Sequence, residues 1–266
     1  MAYTYKSVYL DDEMIRGRVF DFMRPASANQ KVSVFWVHGG GWVAGHREGG
    51  HAVIKALLQR GFVCATTDYR LTGVKALDQL ADIREAYAAF CGLLAEHGLP
   101  ERVCVYGESA GAHLAALLAL AAPGACGESA PSDQPQGQMS CLAPVGAVLQ
   151  STPVCFTPWP DIFPRIWAGM QQIAGARYED NPELFRRLSP IEYVDEKTCP
   201  VFFMEAENEH MFPHAQVEEF AGEMRCHGRR VELKKYLRVE HGFFYDLTRW
   251  QQRAALDDMV NFMLTL

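Results

Sequence analysis

Arg102-Val-Cys-Val-Tyr-Gly-Glu-Ser-Ala-Gly-Ala-His-Leu-Ala-Ala-Leu-Leu-Ala-Leu120 is the stretch whose reading decides the fold. Residues 102–106 form an apolar run of strand length, and residues 110–120 have the composition and period of a helix. Between them, Gly107-Glu-Ser-Ala-Gly111 is a G-x-S-x-G. At a strand-to-helix junction this pentapeptide builds a turn sharp enough to push a serine hydroxyl clear of the sheet. A Cβ at position 107 or 111 would collide with neighbouring backbone in so tight a turn, which accounts for both glycines. Ser109 is therefore a candidate nucleophile. The competing reading, a serine on a plain loop, leaves the strand–turn–helix context unexplained.

The same alternation continues to either side. Val32–Val37 reads as a buried strand, followed by a glycine-rich loop and a helix over about 51–60. Phe62–Thr67 is the next strand, and Leu80, Ile83, Tyr87 and Phe90 mark a helix over about 77–97. Further strands fall at 145–150, 201–205 and 231–237, with a closing helix over 247–264. Residues 6–10 and 15–22 read as an antiparallel hairpin on the sheet edge. Alternation of this kind predicts an α/β fold with a mostly parallel sheet covered on both faces, in one domain spanning 1–266. Two segments break the rhythm. Residues 121–143, rich in Pro, Gly, Ser and Gln, read as a mobile insertion. Residues 151–190 carry aromatics between prolines after a strand's C-terminal end, where α/β proteins build binding crevices, and read as a small lid or substrate wall.

Composition bounds the partners. The 266 residues are 49 % hydrophobic and 21 % charged, an ordinary globular profile. A net charge of −7, with charges dispersed, argues against a nucleic-acid or anionic-membrane partner. No apolar stretch reaches the roughly 18 residues of a membrane span. The first residues lack a basic region followed by an apolar one, which predicts a cytoplasmic protein unless a leader has been removed. Eight cysteines include no C-x-x-C, so zinc-ribbon and thioredoxin-like readings fail. Cys126 and Cys141 flank a segment that a disulfide could close, but reduced thiols fit the cytoplasmic reading better. Oligomeric state is not legible.

A serine is a weak nucleophile without a base, an orienter for that base and donors for the developing oxyanion. His38-Gly-Gly-Gly-Trp42 directly follows the strand 32–37, and the N–H groups of Gly40, Gly41 and Ala110 are candidate oxyanion donors. Gly39-x-Gly41-x-x-Ala44 also matches a dinucleotide fingerprint in form, yet that motif must open a helix at once, and residues 42–50 delay it. His241, after the last strand and before the last helix, is the candidate base. The acid falls after the strand at 201–205, where residue chemistry leaves Glu205, Glu207 and Glu209 open. His210 and His214 stand at i, i+4, but Pro213 interrupts the helix a metal pair would need, so neither a metal nor a cofactor is expected. Trp42, Phe156, Trp159, Trp167 and Phe243 are candidate pocket walls, with core packing as the competing reading.

Together these residues resemble the α/β-hydrolase superfamily. The closest likeness is to its bacterial esterase branch with a His-Gly-Gly-Gly-Trp loop, which includes hormone-sensitive-lipase-like, acetyl-esterase and feruloyl-esterase-like proteins. The resemblance runs from about residue 31 to 263, through Trp36-Val-His-Gly-Gly-Gly-Trp42, Asp68-Tyr-Arg-Leu71, the elbow, Leu188-Ser-Pro-Ile191 and Glu240-His-Gly-Phe243. It implies an α/β-hydrolase fold and a Ser109–acid–His241 triad without cofactor. Against the family's P-V-L-L-I-H-G-T-A-D-E-L-V-P, the run Pro200–Pro213 aligns without a gap and sets Glu209 at the aspartate, one methylene longer. Ala112 stands where the family usually has glycine. The implied activity is hydrolysis of short acyl or carbohydrate-linked carboxylic esters. The alternatives are an amidase or arylformamidase using the same residues, or a binding protein that has kept the fold without the chemistry.

Overall fold

The computed structural model describes residues 3–15, 17–129 and 143–266. Eight strands form one sheet: β1 (Tyr3–Tyr9), β2 (Val19–Pro25), β3 (Val32–Val37), β4 (Cys64–Thr67), β5 (Arg102–Glu108), β6 (Gly146–Gln150), β7 (Val201–Asn208) and β8 (Val231–Glu240). Their order is β1-β2-β4-β3-β5-β6-β7-β8. The first two pairings, β1 with β2 and β2 with β4, are antiparallel; the rest are parallel. The helices are α1 (His51–Gln59), α2 (Ala76–Glu96), α3 (Ala110–Leu120), α4 (Pro164–Ala174), α5 (Pro182–Arg187), α6 (His214–Cys226) and α7 (Trp250–Leu264), with a 3₁₀ turn at Pro190–Tyr193.

Strand alternation sorts the core into two layers. On β5, Val103 and Val105 join the cluster that holds Leu80, Phe90, Leu114 and Phe220, from α2, α3 and α6. Cys104 and Tyr106 join the cluster on the opposite face with Ile54, Leu57, Leu256 and Phe262, from α1 and α7. Central strands buried on both sides read as continuous apolar runs, which is why Val32–Val37 showed no polar alternation. α3 is buried along nearly its whole length, from Ala110 to Leu118, and its small residues let it lie close against β5 and β6.

Several boundaries differ from expectation. The hairpin pairs Tyr3–Tyr9 with Val19–Pro25, and β2 also zips onto β4. β7 continues to Asn208 and β8 to Glu240. Between them the register jumps: Ala206 faces Tyr236 but Asn208 faces Glu240. The extra β8 residues form a bulge in which Arg238 takes φ +58° and donates its N–H to Glu207 Oε2 at 2.7 Å. Residues 151–190 hold α4 and α5, packed on the α2/α3 face through Met170, Ile173 and Phe185. The expected insertion at 121–143 and the Cys126–Cys141 pairing fall largely or partly outside the described residues.

Candidate active site

β5 lies at the middle of the sheet and hands the chain to α3 through the 107–111 turn. A Cβ on Gly107 would run into the Gly111 carbonyl, and one on Gly111 into the carbonyls of Val37 and His38. Ser109 itself is held at φ +51°, ψ −122°, a conformation that L-residues adopt only under constraint and that throws Oγ outward. Oγ lies 2.8 Å from His241 Nε2.

His241 follows β8, and its Nδ1 lies 2.8 and 3.0 Å from the two Glu209 oxygens. Carboxylate oxygens accept, so Nδ1 carries the proton, and Nε2 is left to accept from the serine hydroxyl. Glu209 Oε1 also accepts the backbone N–H of Met211 at 2.9 Å. Its side chain is almost wholly buried. Burial opposes ionisation of that carboxyl, but the hydrogen bond and charge of His241 and the Met211 N–H outweigh it and hold the pKa below the usual range.

The three glutamates separate cleanly. β7 runs past Glu205 and Glu207, so neither lies in the loop where all three were expected. Glu205 is buried beside the start of α6 and pairs with His214 Nδ1 at 3.0 Å. Burial raises its pKa despite that partner. Glu207 is exposed and accepts the Arg238 N–H of the β8 bulge.

The glycine loop follows β3. Gly40 and Gly41 are exposed at φ +119° and +59°, and a Cβ on Gly40 would collide with the Ala44 carbonyl. Ala110 is the first residue of α3, where a helix leaves N–H groups without internal partners and concentrates positive potential. Three residues that sequence reasoning did not single out brace this loop. Arg47 donates its backbone N–H and a guanidinium N–H to Asp68, both at 2.6 Å, and reaches Asp21 at 2.9 Å. Glu108, the variable residue of the pentapeptide, is pushed up to about 7 by desolvation, although the Gly39 N–H opposes that rise. Asp68-Tyr-Arg was the one visible signal for this bracing, since Tyr69 Oη donates to the His38 carbonyl at 3.0 Å.

The candidate pocket aromatics fall into two groups. Trp42 and Phe156 are buried and pack around His113, so they support the site from below. Phe243 is a correction: it packs with Tyr236 and Phe244 in the α1/α7 layer, because the chain turns inward after His241. Trp167 leans on Tyr178 and Phe185. Trp159 is half-buried against Phe212, and Phe212 lies 5.8 Å from the His241 ring. Phe212 was missed because the segment after β7 has no periodicity to flag it. A cavity of about 660 Å³ lies elsewhere, lined by Arg84, Tyr87 and Lys197. Among the described residues no cluster of His, Cys, Asp or Glu could hold a metal ion. No described helix is long and apolar enough to cross a membrane.

Comparison with known proteins agrees with this architecture. The family described as BD-FAE matches residues 20–224, and the dienelactone hydrolase family matches residues 185–266. Esterase LipQ of Mycobacterium tuberculosis is 29 % identical over 215 residues, covering 78 % of this chain and 49 % of LipQ. The probable isoprenylcysteine alpha-carbonyl methylesterase ICMEL1 of Oryza sativa is 33 % identical over 110 residues, 41 % of this chain and 26 % of that protein. The chain thus spans half or less of these curated relatives. Among solved structures, esterase 2 of Thermogutta terrifontis phosphonylated by sarin superposes with a TM-score of 0.79 at 22 % identity, covering 93 % of this chain and 89 % of that one. The propionate-bound form of the same esterase gives a TM-score of 0.78 at 20 % identity, covering 98 % and 93 %. The fold is that of the α/β-hydrolases.

Proposed function

The chain belongs to the BD-FAE family, and from that premise we propose that it is a serine carboxylic-ester hydrolase working through an acyl-enzyme. The observation that carries this reading is the hydrogen-bonded chain Ser109–His241–Glu209, 2.8 Å at each link, with Gly40 and Gly41 exposed on the loop after β3.

Each member has a role its surroundings support. His241 Nε2 takes the Ser109 proton as Oγ attacks the ester carbonyl, and Glu209 keeps Nδ1 protonated and stabilises the imidazolium that forms. The developing oxyanion is met by the N–H groups of Gly40, Gly41 and Ala110, the last reinforced by the α3 N-terminus. His241 returns the proton to the departing alcohol. Water, deprotonated by the same nitrogen, then attacks the acyl-enzyme and releases the acid. The sequence of steps requires neither metal nor organic cofactor.

A small-molecule ester of short acyl chain, including an acyl group carried on a carbohydrate, is the substrate class this reading favours. The structural neighbour has propionate bound in one form and butyrate in another. In this chain Trp159 and Phe212, their rings tilted to each other, form an apolar wall leading to His241. A cytoplasmic location fits the buried thiols of Cys64 and Cys104, which sit in the strands of the core as small apolar side chains.

Replacing Ser109 by Ala tests the assignment. Turnover of p-nitrophenyl acetate and butyrate should fall by at least about 10⁴-fold while the circular dichroism spectrum is unchanged. Retention of parental turnover by the folded variant would sink the reading. A panel of graded p-nitrophenyl esters, acetylated oligosaccharides and feruloyl esters then ranks acyl and alcohol preference.

A further inference from the structure

Trp42 ends the glycine run, yet it does not face the site. It is 4 % exposed and sits at φ +64°, the third consecutive residue with positive φ after Gly40 and Gly41. Two hydrogen bonds hold it there. Its carbonyl accepts from Gln79 Nε2 at 2.7 Å, and its indole N–H donates to His113 Nδ1 at 3.2 Å.

His113 lies one helical turn along α3 from the nucleophile, and its backbone N–H donates to the Ser109 carbonyl at 3.0 Å. Its other ring nitrogen, Nε2, is 2.7 Å from the carbonyl of Leu188. A carbonyl can only accept, so Nε2 carries the proton, and Nδ1 presents the lone pair that the Trp42 indole requires. A single neutral tautomer satisfies both neighbours. The ring is fully buried, stacked on Phe156 with centroids 4.5 Å apart and edge-on to Trp42 at 5.6 Å.

This arrangement bears on the oxyanion donors because they come from two separate elements. Gly40 and Gly41 belong to the loop after β3, whereas Ala110 opens α3. Their mutual spacing must hold to about half an ångström for a preorganised site, and a misplacement of about 1 Å can cost about 100-fold in rate. We propose that His113 is a positioning residue for the oxyanion hole, clamping the Trp42 end of the glycine loop to the helix that carries the nucleophile. The role rests on the ester-hydrolase reading above and adds to it a residue that touches no substrate.

The test uses the full chain and p-nitrophenyl butyrate, with a short alkylboronic acid as a tetrahedral transition-state mimic. His113→Phe keeps the stack on Phe156 but removes both ring hydrogen bonds. It should lower kcat about 10- to 100-fold, leave KM within about twofold, and weaken boronate binding in step with kcat/KM. His113→Gln can still accept from Trp42 and donate to Leu188, and should recover kcat to within about fivefold of the parent. Trp42→Phe removes the donor with part of the indole ring and leaves the His113–Leu188 hydrogen bond in place, and the Trp42→Phe/His113→Phe double variant should be no slower than the worse single one, as expected of two residues acting through one bond. Additive losses, or a lowered Tm with parental kcat in the folded fraction, would overturn the role. Should His113→Phe not fold, Trp42→Phe and His113→Gln carry the same comparison. An active parent with a fully active Trp42→Phe overturns the positioning role alone, whereas a parent that hydrolyses no ester overturns the hydrolase reading together with it.

Discussion

Glu209 reaches His241 with both carboxylate oxygens within 3.0 Å, so the extra methylene over aspartate is absorbed by the loop between β7 and α6. A glutamate held by a backbone N–H and an imidazole can be replaced isosterically without loss of shape. Glu209→Gln should therefore fold normally but lower kcat about 10³- to 10⁴-fold, because an amide no longer enforces the Nδ1–H tautomer. Glu207→Gln keeps an acceptor for the Arg238 N–H and should stay within about twofold of the parent in the same assay. The two glutamates could not be told apart from residue chemistry, since the difference lies in how far β7 extends, and that depends on pairing with β8. His113 makes a second residue-scale prediction. Burial pushes its pKa down to about 4. Between an unfolded value near 6.5 and that folded value, the unfolded chain binds a proton that the native state does not, so stability from this group declines as pH falls through the window. The stability advantage of the parent over His113→Phe should thus shrink by up to about 3 kcal/mol between pH 7 and pH 4, read by urea denaturation at each pH. A constant gap would mean that the imidazole is not held neutral.

At the scale of elements, the strand–turn–helix unit at 102–120 was legible because two periodicities meet at a pair of glycines, and local sterics dictate that junction. The glycine loop was legible for the same reason. Its bracing was not, since Arg47, Asp68 and Asp21 are far apart in sequence and meet only once β2 and β4 pair. Aromatic side chains gave the poorest guide. Trp42, Phe156 and Phe243 look alike in sequence, yet which face of an element they occupy is set by tertiary packing, and all three are core. The wall that remains is Trp159 on the segment before α4 and Phe212 before α6. Phe212→Ala should raise KM for butyryl esters more than for acetyl esters, by about 5- to 20-fold against about threefold or less, because a lost apolar contact counts in proportion to the chain it covers. Equal changes for both esters would place the acyl chain elsewhere.

For the whole molecule, a mostly parallel sheet covered on both faces followed from alternation of strand and helix, whereas the order of strands, their ends and the route of residues 151–200 over the α2/α3 face did not. Both core layers are built on one sheet, so neither can dissolve without exposing the other's strands. Two core layers on one sheet predict that tryptophan fluorescence and far-UV ellipticity are lost at the same urea midpoint; two resolved midpoints would divide the chain into separate folding units. The sheet ends on one side at β8, whose outer edge would otherwise be a row of free amides and carbonyls inviting another chain. At Arg238 that row is broken, its N–H turned back to Glu207 and its backbone kinked. A stray strand could zip along the first part of β8 but would be turned away at the kink, so the bulge beside the histidine loop doubles as a safeguard against fibre growth when the protein is crowded.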